Sequence, residues 1–177
     1  WVDKTMTVLD ITAGSGTHPE TGKPGSPLII MNTLEEKGVP YQAFFIEKDR
    51  ENFEKLSTTL HKYHPQCAGE IIMRCGDHVE VLPQLVSEHI NLNPQPLGLL
   101  YYDFTTQDFD RSFRCIADIY RNRPSYRKMS RIDCVLYVSA TAIKRIRSAF
   151  GSRDSLIDYM YKTGKKHWLI REPSGQH

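Results

Sequence analysis

No apolar run among the 177 residues approaches the ~20 that a membrane-spanning helix needs. The first residues, Trp1-Val2-Asp3-Lys4, have neither the basic start nor the apolar stretch of a signal peptide. They also lack an initiator Met, so a clipped terminus is expected. The four cysteines, Cys67, Cys75, Cys115 and Cys134, form no C-x-x-C pair. Free, mostly buried thiols in a reducing cytoplasm are the expectation. The seven histidines show no H-E-x-x-H or similar zinc spacing, so no metal is expected. Net charge is low too, at +2, but it is unevenly spread. Residues 1–104 hold 8 Lys and Arg against 14 Asp and Glu, a net of −6. Residues 105–177 hold 15 against 7, a net of +8. A basic C-terminal half suits either a polyanionic partner such as nucleic acid or a solvated helical surface.

What the chain does have is alternation. Apolar, strand-like runs at Thr5–Ile11, Tyr41–Glu47, Glu70–Cys75, Pro96–Phe104, Ile132–Ala140 and Lys165–Pro173 are separated by helical patterns. The helices are expected at Ser26–Gly38, Asp49–His64, His78–His89 and Gln107–Asn122, with a further one opening at Thr141. Ser26 is the expected N-cap of the first, with Pro27 in its first turn and Gly38 as its stop. Pro83 marks a kink or a boundary in the third. Strands alternating with helices imply βαβ units. The expected fold is therefore α/β, a doubly wound, Rossmann-like, mostly parallel sheet with helices on both faces, in one domain over 1–177.

Ligands of such sheets bind at the carboxyl ends of the strands. The first such end is "LDITAGSG", Leu9 to Gly16. A phosphate loop needs Lys-Ser/Thr after its glycines, and Gly16 is followed by Thr-His-Pro. A dinucleotide turn needs a third glycine, where Pro19 stands, and an acid about 20 residues on. The acid ending the second strand is Glu47, 31 residues after Gly16. An acid–x–x–x–Gly–x–Gly turn, Asp10 to Gly16, instead suits S-adenosylmethionine. Missing Cβ atoms let the backbone pass close under the amino-acid part of that cofactor, and Asp10 orders the turn or meets the ammonium group. Glu47 is placed to grip the ribose diol in two charge-assisted hydrogen bonds. Asp77, after the third strand, is placed for the adenine amino group, or simply as a helix N-cap. Asp103, after the fourth, is placed near the transferable methyl.

The stretches "LDITAGSG", "FFIEKDRENFEKL", "GLLYYD" and "HWLIREPSG" resemble the class I S-adenosylmethionine-dependent methyltransferases. More narrowly, the chain looks like the three-Cys-motif partner proteins, which share that fold. The resemblance implies cofactor contacts from Asp10, Ala13, Gly14, Gly16, Glu47, Lys48 and Asp77. The same strand ends add Thr12, Ser15, Gly76, His78 and Asp103. It also implies a closing hairpin strand that this sequence does not reach. A bare sheet edge would then invite a protein partner.

Amine-methylating members of the class carry Asp/Asn-Pro-Pro-aromatic after the fourth strand. Here the order is Asp103-Phe104-Thr105-Thr106: the acid and the aromatic are present, the prolines are not. Asp103 and Phe104 are the candidate catalytic pair, with Asp103 orienting or deprotonating a nucleophile. No cysteine follows a proline at a strand end, which disfavours cytosine-C5 chemistry. Lys144, Arg145 and Arg147 follow the fifth strand on the cofactor side and are the candidate nucleic-acid contacts. Two rival functions stand beside methyl transfer. One is a non-catalytic cofactor-binding partner protein; the other, less favoured, is a nicotinamide-dependent oxidoreductase.

Overall fold

The computed structural model describes residues 5–64, 69–90, 92, 97–104, 109–121, 129 and 131–138. They form five strands and four helices in strict alternation. The strands are β1 (Met6–Asp10), β2 (Tyr41–Glu47), β3 (Glu70–Cys75), β4 (Leu97–Phe104) and β5 (Ile132–Val138). The helices are α1 (Ser26–Glu36), α2 (Arg50–Tyr63), α3 (His78–Leu85) and α4 (Phe109–Arg121). All strand pairings are parallel, in the order β3-β2-β1-β4-β5. This is a Rossmann-like α/β sheet. The chain reverses its direction of winding between β1 and β4, where such sheets open a crevice. The expected last helix and last strand, and the basic Lys144, Arg145 and Arg147, lie outside the described residues.

Two apolar layers hold the sheet. Val8 and Ala13, with Tyr41, Ala43 and Phe45 of β2, pack against Leu28, Met31 and Leu34 of α1 and Leu56 and Leu60 of α2. Leu9, Ile11, Phe44, Ile46, Leu100 and Tyr102 pack on the other face against α3, the turn after it and α4. Successive strand residues thus go to opposite cores, which is why the strands read as continuous apolar runs. β1 and β4 approach so closely at Gly98 that a Cβ there would lie 1.6 Å from the carbonyl oxygen of Thr7.

The caps explain the helix starts. Asp49 accepts the Asn52 N–H at 2.8 Å, and Asp77 accepts the Val79 N–H at 2.9 Å. Ser26 is not the N-cap of α1. Gly25 takes that position with no side-chain cap, and Ser26 with Pro27 opens the helix itself. Pro83 does not end its helix. It sits inside α3, and the chain runs on into a π-helical turn, Val86–Ile90. Proline has no N–H to give the carbonyl four residues back, that of Val79. The Cys115 thiol of α4 faces that carbonyl instead, 3.6 Å away.

Candidate functional site

The β1 turn is built by backbone bonds to its neighbours. Ile11 N–H donates to Tyr101 O at 3.1 Å, and Ala13 N–H donates to Ile46 O at 3.0 Å. Gly14 and Gly16 then take φ of +61° and +81°, in the left-handed region. Glu47, only 9% exposed, ties this turn to β2. Its Oε2 accepts the Gly14 N–H at 2.7 Å and its Oε1 accepts the Asp49 N–H at 2.8 Å. A carboxylate offers about four lone-pair sites, so Glu47 can hold the turn and still accept from a ligand diol. On the other side, the Asp103 N–H donates to Thr12 Oγ1 at 2.8 Å, joining the turn to β4.

These ties surround a cavity of about 230 Å³ at the carboxyl ends of β1 to β4. Of the residues expected there, Thr12, Gly14, Glu47, Lys48, Gly76, Asp77, His78 and Asp103 line it. Asp10 lies beneath it, fully buried, and Ala13 is buried in the α1–α2 layer. Ser15 lines a separate, open groove of about 840 Å³ against α2, which meets the cavity at Gly14. Gly16 is buried, its missing Cβ leaving room for Leu56 and Thr59 of α2. Phe104 ends β4; its side chain is outside the described residues. Ile11 and Tyr102 also line the cavity and were not expected. Each stands next to an expected acid's turn or strand end, and the signal was available: strand-end side chains alternate between the two faces.

The electrostatics divide the cavity. At the α3 end, burial pushes the Asp77 carboxyl up, but the Val79 N–H and the Arg111 guanidinium outweigh it and hold it below its ordinary range. Arg111 Nη1 lies 2.6 Å from Asp77 Oδ2 and its Nη2 lies 3.7 Å from Glu80. His78 beside it pairs through Nε2 with the buried Ser112 hydroxyl at 2.7 Å and packs on Tyr102. At the β1–β4 end the carboxyls are held high. Burial raises Asp103. Burial also pushes Asp10 up to about 6, with Asp103 and Glu47 adding to the effect and the Ser26 hydroxyl and Thr12 N–H opposing it. Asp10 Oδ1 accepts the Thr12 N–H at 3.2 Å and the Ser26 hydroxyl also faces the carboxylate, whereas the buried Oδ2 meets no donor at full hydrogen-bond geometry. A buried carboxylate oxygen without a full hydrogen bond destabilises the protein, and a cation or donor placed above it would relieve that.

Among the described residues, no three His, Cys, Asp or Glu side chains converge to hold a metal ion, and no helix is long and apolar enough to cross a membrane. Comparison with protein-family models, with curated proteins and with solved structures returned no match to this chain.

Proposed function

We propose that this protein binds S-adenosylmethionine and directs its methyl group to an acceptor held beside Asp103. The observation that carries the reading is one cavity with three chemically distinct parts in line. Glu47 stands in the middle with acceptor capacity for a diol. Asp77 and His78 offer polar groups at one end for a nucleobase. Asp103 makes the other end anionic, with the charge of the buried Asp10 behind the wall adding to it, which suits a tail bearing an ammonium and a sulfonium. The donor set fits the cofactor: carboxylates where it carries hydroxyls and positive charge, and a Cβ-free turn at Gly14 where its backbone-like tail passes.

What the bound cofactor supplies is an electrophilic methyl group. The chain's own part is placement. Thr12 fixes the Asp103 backbone, and Asp103 presents a carboxylate whose raised pKa makes it a better proton acceptor than a solvated aspartate. A dinucleotide fits less well, because Pro19 occupies the place of the third glycine.

Titration calorimetry with S-adenosylmethionine and with NAD tests the reading. S-adenosylmethionine is expected to bind and NAD to fail. Glu47→Ala is expected to weaken binding by at least about tenfold, the equivalent of one charge-assisted bond at ~1.4 kcal/mol. No S-adenosylmethionine binding sinks the proposal. Binding without turnover on amine, nucleic-acid or protein pools would assign the protein to a non-catalytic, cofactor-binding role.

A further inference from the structure

The register of the sheet places a second group of residues beside Asp103, on the α1 side. Asp10 pairs with Tyr101 and Tyr101 with Val135; one row on, Asp103 pairs with Tyr137. Cross-strand partners project to the same face, with strands about 4.8 Å apart. Leu100, Tyr102, Cys134 and Leu136 go to the opposite core, which fixes the sense of the alternation. Across β1, β4 and β5 the α1 face therefore carries Asp10, Tyr101 and Val135 in one row and Asp103 and Tyr137 in the next, with Asp133 of β5 in the row before them. It is open among the described residues: Tyr137 is 52% exposed and Val135 45%.

The group is electrostatically unfinished. Tyr101 is pushed up to about 12 by burial, with the Asp103 and Asp10 carboxylates and the Tyr137 phenol adding to it. The four polar groups are thus close enough to feel one another, and the Tyr101 hydroxyl stays a donor at any physiological pH. Beneath them Asp10 is completely buried, with the Thr12 N–H and the Ser26 hydroxyl as its donors and no donor at full hydrogen-bond geometry on Oδ2. Two carboxylates with flanking aromatic faces are complementary to an organic cation, which gains charge attraction and ring-face contact together. They oppose a polyanion, because a phosphate would face like charge here.

We infer that Tyr101, Asp103 and Tyr137, above the buried Asp10, form a subsite for an alkylammonium group. The class of acceptor follows if the cofactor reading holds: an alkylamine that docks as its ammonium ion at Asp103, gives one proton to that carboxylate and so frees the nitrogen lone pair that takes the methyl as the sulfonium leaves as a thioether, with its chain over Tyr137 and Val135. Nucleic acid is the competing acceptor class. Asp103 is the point shared with the cofactor cavity, so an amine held here lies next to the end of that cavity assigned to the methyl.

The experiment is an NMR titration of the cofactor-free protein with n-butylammonium chloride, using 1-pentanol as the uncharged counterpart and a single-stranded oligonucleotide as the anionic rival. The expected result is saturable shifts centred on Tyr101, Asp103 and Tyr137 with butylammonium and none with pentanol. Asp103→Asn should weaken binding about tenfold. Tyr137→Ala should weaken it about three- to tenfold, whereas Tyr137→Phe, which keeps the ring, should hold it within about twofold. Circular dichroism and melting of each variant report that it is folded. Equal binding of pentanol, indifference to Asp103→Asn in a folded variant, or oligonucleotide shifts at these residues in place of butylammonium shifts would each overturn the subsite. Butylammonium binding without S-adenosylmethionine binding would uphold the subsite and overturn the cofactor reading; the converse would overturn the subsite alone.

Discussion

Asp10→Asn should make the ligand-free protein more stable, and only above a definite pH. The carboxyl titrates near 3.8 in a solvated chain and near 6 in the folded one, because burial disfavours its charge. A folded-state pKa above the unfolded one means that the native protein holds the proton more tightly. Stability contributed by this group is therefore intact below about pH 4, declines through the interval from 4 to 6, and is fully lost above it. Two pKa units at 1.36 kcal/mol each put the loss at about 3 kcal/mol at pH 7. Asparagine keeps an acceptor for the Thr12 N–H and has no charge to bury. At pH 7 the variant should melt roughly 6–12 °C above the parent, and at pH 4 the two should coincide. Urea unfolding across that range reads the free energies directly. The variant should also bind cationic ligands more weakly, the stability–activity exchange of a site that carries unrelieved charge. A stability difference that does not change with pH, or a variant less stable than the parent at pH 7, would refute the account of Asp10.

Gly98→Ala drives a Cβ to 1.6 Å from a backbone oxygen that cannot yield, so β1 and β4 must separate; a loss above about 3 kcal/mol, read by urea unfolding or as insoluble expression, is expected. Arg111→Ala removes a cation that depresses the Asp77 pKa, so a carbon-detected NMR titration should show that pKa rise. The linked stability is present above the unfolded pKa and disappears as pH falls through the folded one; with both side chains part-exposed it should amount to no more than ~1 kcal/mol at pH 7. Cys115→Ala should cost about 1 kcal/mol, and less in a Pro83→Ala background, where an N–H is restored to the Val79 carbonyl; a double-mutant cycle with no coupling would exclude the thiol–carbonyl contact.

Much of this was legible in the sequence because it rests on local chemistry. The alternation of elements announces a parallel sheet, and Asp77, for which a helix N-cap was one of two readings, does cap α3. The strand-end acids Glu47 and Asp103 meet at one cavity because all parallel strands deliver their carboxyl ends to the same edge. Ser26 was misplaced by one residue, since the serine preference for N-caps yielded to a glycine that lies against the Gly16 carbonyl, closer than a side chain would fit comfortably. The effect of Pro83 could not be foreseen, because the thiol that faces the freed carbonyl comes from another helix. The Asp103–Tyr137 pairing was hidden for the same reason. Register between β4 and β5 is a property of two strands 28 residues or more apart, and no pattern inside either strand fixes it.

The position of β1 has a consequence for how the protein is made. It leaves the ribosome before the other four described strands, yet it lies at the centre of the sheet, and one of its flanks waits for a strand that begins at Leu97. Until then a length of Thr7-Val8-Leu9-Asp10 backbone has an unpaired edge, and the glycine turn has no Asp103 N–H to lean on. The loop that must close is long, its contacts are non-local, and folding should be correspondingly slow and exposed to chaperones. A fragment ending before β4 would carry the glycine turn and Glu47, the most recognisable part of the site, and have nowhere to build the rest.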